Sequence, residues 1–490
     1  MKRSVINAIA IILVLSACIL SYNGCSPGGG GHGDTLAGGT LAGQASGGVG
    51  GANSGGANTG GGAQGGGAGG GGANTGGGAN GGGAGEPGGA NNGGGAANGA
   101  PGNSGANSAG SEVLSADPRL EAELAEKRSE TLAQCELLFR GYFYDEALSL
   151  LNADESLIND ETRALEAEIA QAVDSLELFE GALKHIFFHS LILYPEHLFP
   201  NVNTPTGGYN EGFSYQRELA RMLPQLLERG YVLYNINDIF SKDENGVMRQ
   251  NDIYLPPGKR PLILSIDDPS YHYGVGFANR VILDESGEIA TEVITPSGET
   301  LITYDGDVEL MVDNFVREHP EFSFRGAKGI IASTGYMGIF GYDLQTEESR
   351  AAAIAVSEKM KSNGWLFASH SYTHNRNGFW GPNSSAANIR YDTGRWRSEI
   401  EPIIGNTNIF IAPFGYTLRG DAMQVILENG YDIYCSVDLA QTVTVHPEYA
   451  LMGRVEIGGY ALSRWAAALT RDFFDVSTVI DAYRPPVISG

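Results

Sequence analysis

Three short motifs carry the side chains best suited to chemistry. The first is Asp267-Asp268, a carboxylate doublet followed at once by Pro269. Two carboxylates at the end of an apolar run are costly unless a proton or a cation holds them. The second is His370-Ser371-Tyr372-Thr373-His374, whose imidazoles stand four positions apart. One helical turn at that spacing would put both rings on one side, where metal ligands stand. The third, Pro413-Phe414-Gly415-Tyr416, follows the apolar run Ile409-Phe410-Ile411 and Ala412. Two imidazoles and one carboxylate suit Zn²⁺, or Co²⁺ and similar ions, and leave positions open for water and substrate. Taken singly, the doublet also reads as a solvated turn and the histidine pair as chance spacing.

What joins them is placement. Each motif closes an apolar run: 261–266 (PLILSI), 365–369 (WLFAS) and 409–411 (IFI). Such runs read as strands covered on both faces. Neighbouring side chains on a regular strand point to opposite faces, so both carboxylates serve one site only where the chain bends, and Pro269 is the residue expected to bend it. Further strands are expected at 186–188, 231–233, 329–333 and 433–437, with helical windows at 215–230, 351–362, 395–404 and 422–430. This alternation predicts an α/β fold with a parallel sheet or a (β/α) barrel. The motifs then share the C-terminal rim, where barrel active sites assemble. Residues 280–305 break the rhythm and read as an inserted hairpin.

The order of an apolar strand ending in Asp-Asp, then His-Ser-x-x-His, then Pro-aromatic-Gly resembles the NodB-homology polysaccharide deacetylases (carbohydrate esterase family 4). The resemblance covers about residues 183–469, including His189-Ser190 and the stretch 213–239. It implies a distorted (β/α) barrel and the removal of N-acetyl groups from a polysaccharide. It also implies that Asp268, His370 and His374 bind a divalent metal, Zn²⁺ foremost, while Asp267 is the catalytic base. Pro413, Phe414, Gly415 and Tyr416 are the expected substrate and oxyanion contacts. The chain departs from that pattern in three places. Pro269 stands where the family has Gly, and Ile411 where it has an Arg that contacts the base. No late Leu-x-His supplies a general acid, since His446 precedes Pro447. His272, Asp438 and Arg454 are the residues available as acid or support. Trp380, in the loop NRNGFWGPNSS, would stack on a sugar or pack beneath its loop. Peptidoglycan or a related wall glycan is the expected substrate. Two alternatives stay open: an O-acetyl esterase on the same scaffold, and a glycan-binding protein that no longer hydrolyses.

The rest of the chain sets where this chemistry would occur. Lys2 and Arg3 precede the apolar stretch 5–20, shorter than the ~20 residues a spanning helix needs and suited to a secretory leader. Cys18, after Leu15-Ser16-Ala17, resembles a lipidated lipoprotein cysteine, with Cys25 as the alternative. Either choice puts the remainder on the extracellular side of a bacterial membrane, lipid-anchored or secreted. The leader thus spans 1–25, and a Gly/Ala/Asn-rich stretch (26–111) follows as a disordered linker with almost no side chain to bury. Residues 112–182 read as a tetratricopeptide-like helical hairpin, packed on the next domain or binding a protein, and 183–490 as the barrel. The chain has 490 residues and a formal charge of −26, and its first 111 residues are balanced by Lys2, Arg3, Asp34 and Glu86. All the acidity therefore lies on the part expected to fold, which excludes nucleic acid as a partner. The 4 cysteines are too few for a disulfide scaffold.

Overall fold

The computed structural model describes residues 118–488. The leader with Cys18 and Cys25 and the 26–111 linker lie outside the described residues. Eight strands share one parallel arrangement: β1 (Lys184–Phe188), β2 (Tyr231–Leu233), β3 (Arg260–Asp267), β4 (Ile330–Ser333), β5 (Leu366–Ser369), β6 (Ile409–Ile411), β7 (Ile433–Val437) and β8 (Ala450–Glu456). Strands β4 to β8 follow one another, β8 pairs with β1, β1 with β3, and β3 returns to β4, so all but β2 close a barrel. β3 makes closure possible by changing partners along its length. Its start pairs with β2 (Tyr231 opposite Arg260), and its end pairs with β4 (Ala332 opposite Asp267).

Period-two alternation divides each strand between two cores. Ile263, Ala332, Ala368, Ile409, Ile411, Ile433, Cys435 and Met452 fill the barrel. Leu262, Leu264, Ile266, Ile331, Phe367, Phe410 and Tyr434 face outward under the helices. The near-continuous apolarity of β3 follows, since both of its faces are buried. Small or short side chains recur inside, as a narrow barrel requires.

The helices form by ordinary rules. α1 (Pro118–Arg140), α2 (Tyr144–Leu151) and α3 (Asp160–Asp174) precede the barrel; α4 (Gln216–Glu228), α5 (Val308–Glu318), α6 (Glu347–Ser362), α7 (Ala386–Glu399) and α8 (Asp421–Glu428) surround it. Leu219, Met222, Leu223 and Leu226 of α4 recur at helical spacing and are all buried. Asn159, Asp307, Thr346 and Ser385 each cap a helix by accepting a backbone N–H with the side chain.

The 118–182 segment holds a helix pair, α1 and α2, and then α3, which Asn159 and Thr162 begin with a capping box. It docks through Arg140 on Glu321 (2.7 Å), Arg325 on Glu146 (2.8 Å) and the rings of Tyr142 and Phe324 (5.3 Å). The insert near 280–305 is a three-stranded antiparallel sheet, Ala278–Leu283, Ile289–Ile294 and Thr300–Thr303. A turn at Gly298 (φ 87°) adds the third strand.

Candidate metal centre

Asp267 continues the inward alternation of Ile263 and Ser265, so its carboxylate enters the barrel at the C-terminal rim. Asp268 reaches the same site because its backbone is left-handed, with φ 57°. Pro269 was expected to supply the bend, but it comes one residue too late; the inversion at Asp268 itself returns the second side chain to the mouth. The histidine pair is likewise not held by a helix. His370 follows β5, and the chain then turns through left-handed Ser371 (φ 68°) and His374 (φ 41°), which bring the second imidazole back over the first. Asp392 of α7 fixes this loop by accepting the Tyr372 and Thr373 N–H groups at 2.7 and 2.9 Å. Sparsely populated backbone at three of these positions is strain of the kind that clusters at functional sites.

The loop brings Asp268, His370 and His374 together, with one ligand atom from each within 4.8 Å of the others. His370 donates Nδ1–H to the Ile411 carbonyl (2.8 Å), which leaves Nε2 with a lone pair toward the aspartates. The Nε2 of His374 lies 3.4 Å from Asp268 Oδ2. Burial lowers the pKa of His370 and pushes His374 down to about 4, so both rings are neutral near pH 7. Burial raises that of Asp268, and its Oδ1 is a buried oxygen without a hydrogen-bond partner. Neutral imidazoles beside an orphaned carboxylate oxygen make a donor set that fits a divalent ion.

Asp267 is electrostatically opposite to its neighbour. Burial alone would raise its pKa, but the Arg454 guanidinium and His370 outweigh this and hold the carboxyl well below the usual range. Arg454, fully buried on β8, donates from Nη1 to Asp267 Oδ1 (2.8 Å) and from Nη2 to Oδ2 (2.9 Å). Nη1 also reaches Ser265 Oγ (2.9 Å), which is 2.9 Å from His185 Nε2 deeper in the barrel. Arg454 was among the residues considered for the missing acid. A guanidinium engaged with a carboxylate at both nitrogens cannot give up a proton. Its place is that of a buried partner to Asp267, at a site where Ile411 offers no guanidinium.

Asp438 is not an acid either. It accepts the Ala440 and Thr442 N–H groups (both 3.0 Å), and the Thr442 contacts, against a smaller effect of burial, lower its pKa. A carboxylate stabilised in its own turn has no proton to give at neutral pH. His272 lies at the mouth with Nδ1 2.6 Å from Ser270 Oγ, and its ring packs on Tyr273 (4.5 Å). Trp380 is 0% exposed and stacks on Phe410 (5.0 Å) under its loop, so it cannot meet a sugar. In the Pro413–Gly415 turn, Gly415 N–H donates to Ala412 O (3.0 Å) and Tyr416 N–H to Pro413 O (3.2 Å). Pro413 has no N–H, so of these four residues only Phe414 has an amide not committed to the turn. The Phe414 ring lies 4.5 Å from that of His374.

One residue of the mouth was not selected from sequence as a site residue. His189 follows β1 and stands close enough to act electrostatically on both Asp267 and Asp268, a smaller effect than that of burial on either. Its Nδ1 faces the Gly212 carbonyl (3.1 Å) and Glu456 Oε1 (3.4 Å), and the carbonyl can only accept, so Nδ1 carries a proton. The signal was its position: like the three motifs, it ends a barrel strand on the active rim.

No family model matches the chain, and no curated protein matches it. Among solved structures, it is similar to the Streptococcus pyogenes deacetylase PplD in complex with acetate, at 14% identity over 59% of this chain and 97% of that one, with TM-score 0.34. It is similar to IcaB from Ammonifex degensii at 15% identity, over 58% and 96% of the two chains, with TM-score 0.34. For a de-N-acetylase from Aggregatibacter actinomycetemcomitans the values are 13%, 61% and 99%, with TM-score 0.35. Deacetylases are thus among the solved structures this chain is similar to.

Proposed function

We propose that this chain is a metal-dependent hydrolase that removes N-acetyl groups from an extracellular polysaccharide, peptidoglycan or a related wall glycan. The observation that carries the reading is the convergence of Asp268, His370 and His374 beside an ionised, Arg-paired Asp267. A divalent ion held by those three ligands, Zn²⁺ foremost, would supply Lewis acidity to the acetyl carbonyl and to an attacking water. Asp267 accepts the proton of that water, and Arg454 keeps the carboxylate charged and fixed in plane. His189 gives a proton to the departing amine, with Glu456 and the Gly212 carbonyl orienting its ring. Water oxygen bonds to the acyl carbon as the C–N bond breaks, yielding acetate and a free amine. The Phe414 amide is the backbone donor available to the developing oxyanion.

The binding-only alternative drew its support from a missing arginine and a missing acid. Arg454 and His189 offer both from other strands, and that alternative loses its main ground. The leader and linker support a lipid-anchored location outside the membrane, with Cys18 lipidated. Acetate release from acetylated chito-oligomers and from peptidoglycan, with and without added Zn²⁺, tests the proposal. Asp267→Asn should lower release by about 10²–10⁴-fold. Binding without release in the wild type would overturn the N-deacetylase reading and leave the O-acetyl esterase and the non-hydrolytic alternative.

A further inference from the structure

The barrel interior beneath the rim holds a histidine that the proposed mechanism does not use. His185 lies on β1, fully buried, and its register partner on β3 is Ile263. The side chains that fill the barrel are largely aliphatic, and a leucine would suit such surroundings with no polar atom to satisfy. His185 instead keeps Nε2 2.9 Å from Ser265 Oγ, while its Nδ1 is buried without a hydrogen-bond partner. A buried nitrogen left unpaired is costly, which argues for a role beyond packing.

The available protons fix the direction of each bond. Arg454 Nη1, 2.9 Å from the same oxygen, can only donate. Among the described residues Ser265 Oγ has two partners, Arg454 and His185. Its one proton therefore goes to His185 Nε2, and the imidazole carries its own proton on Nδ1. A protonated ring would offer Nε2–H to an oxygen that already accepts from Arg454, and the Ser265 proton would have no acceptor. Burial, reinforced by the Arg454 charge and opposed by that of Asp267, holds the His185 pKa well below the ordinary imidazole value, so the ring is neutral. The oriented hydroxyl turns its lone pairs to Arg454, whose guanidinium also lies over the Phe187 ring (4.0 Å), two residues along the same strand. β1 thus fixes the guanidinium at its edge through Ser265 and on its face through Phe187, while both Nη atoms hold Asp267. We propose that His185 is a positioning residue for the reaction: by orienting the Ser265 hydroxyl it sets the Arg454 guanidinium, and through it the plane of the Asp267 carboxylate. This rests on the reading of Asp267 as the base and adds a support one layer deeper in the barrel.

Deacetylation of a chito-oligomer by the full chain is compared for the wild type, His185→Leu, Ser265→Ala and the double variant, each loaded with Zn²⁺ to a measured stoichiometry. His185→Leu should lower kcat about ten-fold, with KM and metal content at wild-type values. His185→Gln should recover most of that loss, because its amide oxygen can accept from Ser265. The double variant should be no slower than Ser265→Ala, since His185 acts through that hydroxyl. Losses that add, or a His185→Leu variant as fast as the wild type, would overturn the inference. A second readout needs no turnover. In the histidine nitrogen NMR spectrum, the His185 signals, assigned by their loss in His185→Leu, should be those of the Nδ1–H tautomer; the Nε2–H tautomer would overturn the inference. Failure of the wild type to release acetate would instead remove the hydrolase proposal, and the spectrum would still decide whether His185 orients Ser265.

Discussion

Asp267 and Asp268 adjoin in sequence yet live under opposite electrostatics, and Arg454 makes the difference. Replacing that arginine by Lys keeps the charge but loses the two-pronged contact. Arg454→Lys should therefore lower kcat by about a hundredfold while metal content stays at the wild-type level, which turnover and elemental analysis would show. Arg454→Met removes the charge altogether and leaves a buried carboxylate unpaired, so denaturant melts should show a loss of about 3–5 kcal/mol. His189 admits a sharper test. If it protonates the leaving amine, His189→Gln should slow amide cleavage far more than hydrolysis of an activated aryl acetate, whose leaving group needs no proton. Equal losses on both substrates would deny it that place. Arg454 was singled out in sequence but not as the partner of Asp267, and His189 was not singled out as a site residue. Arg454 lies 187 positions from its partner, and a lone His has no second ligand to set a spacing. Asp267, Asp268, His370 and His374 were legible because paired residues of metal-binding type close apolar runs.

The strands were readable for the same reason, since β3 is apolar on both faces and its neighbours repeat the pattern. What the pattern could not supply was the backbone at the strand ends. Left-handed Asp268 and His374 depend on the loops around them, and residue type alone did not reveal the inversion. The loop element behind the site holds a second electrostatic feature, unconnected with the metal. Asp307 caps α5 and Glu309 follows in its first turn, both buried, with Tyr271 donating to Glu309 (2.5 Å). Burial raises the pKa of both carboxyls, and for Glu309 the charge of Asp307 adds to it. The sign is that of groups protonated longer in the fold than in the unfolded chain. Their contribution to stability is full below the ordinary carboxylate range and is lost as pH rises toward neutrality and beyond. Glu309→Gln should flatten that decline, so its melting temperature should exceed the wild type's at pH 8.5 and not at pH 5. Trp380 gives a complementary expectation. It fills the space on Phe410, and Trp380→Ala should cost about 3–5 kcal/mol of stability. A mutant with wild-type stability would contradict its place in the core.

Taken together, the described residues form a closed barrel whose N-terminal helices dock on the side of β2 and whose acidity is spread over its surface. That charge argues against polyanionic partners and leaves a neutral glycan unopposed. The third insert strand was not legible, since it depends on a single turn at Gly298 inside a stretch of otherwise correct texture.

The central claim is that one divalent ion binds at Asp268, His370 and His374. Metal stoichiometry of the purified chain after equilibration with Zn²⁺ tests it most directly, alongside Asp268→Asn, His370→Ala and His374→Ala. The account predicts close to one ion per wild-type chain and a marked loss in every variant. Full stoichiometry in the histidine variants, or none in the wild type, would contradict it.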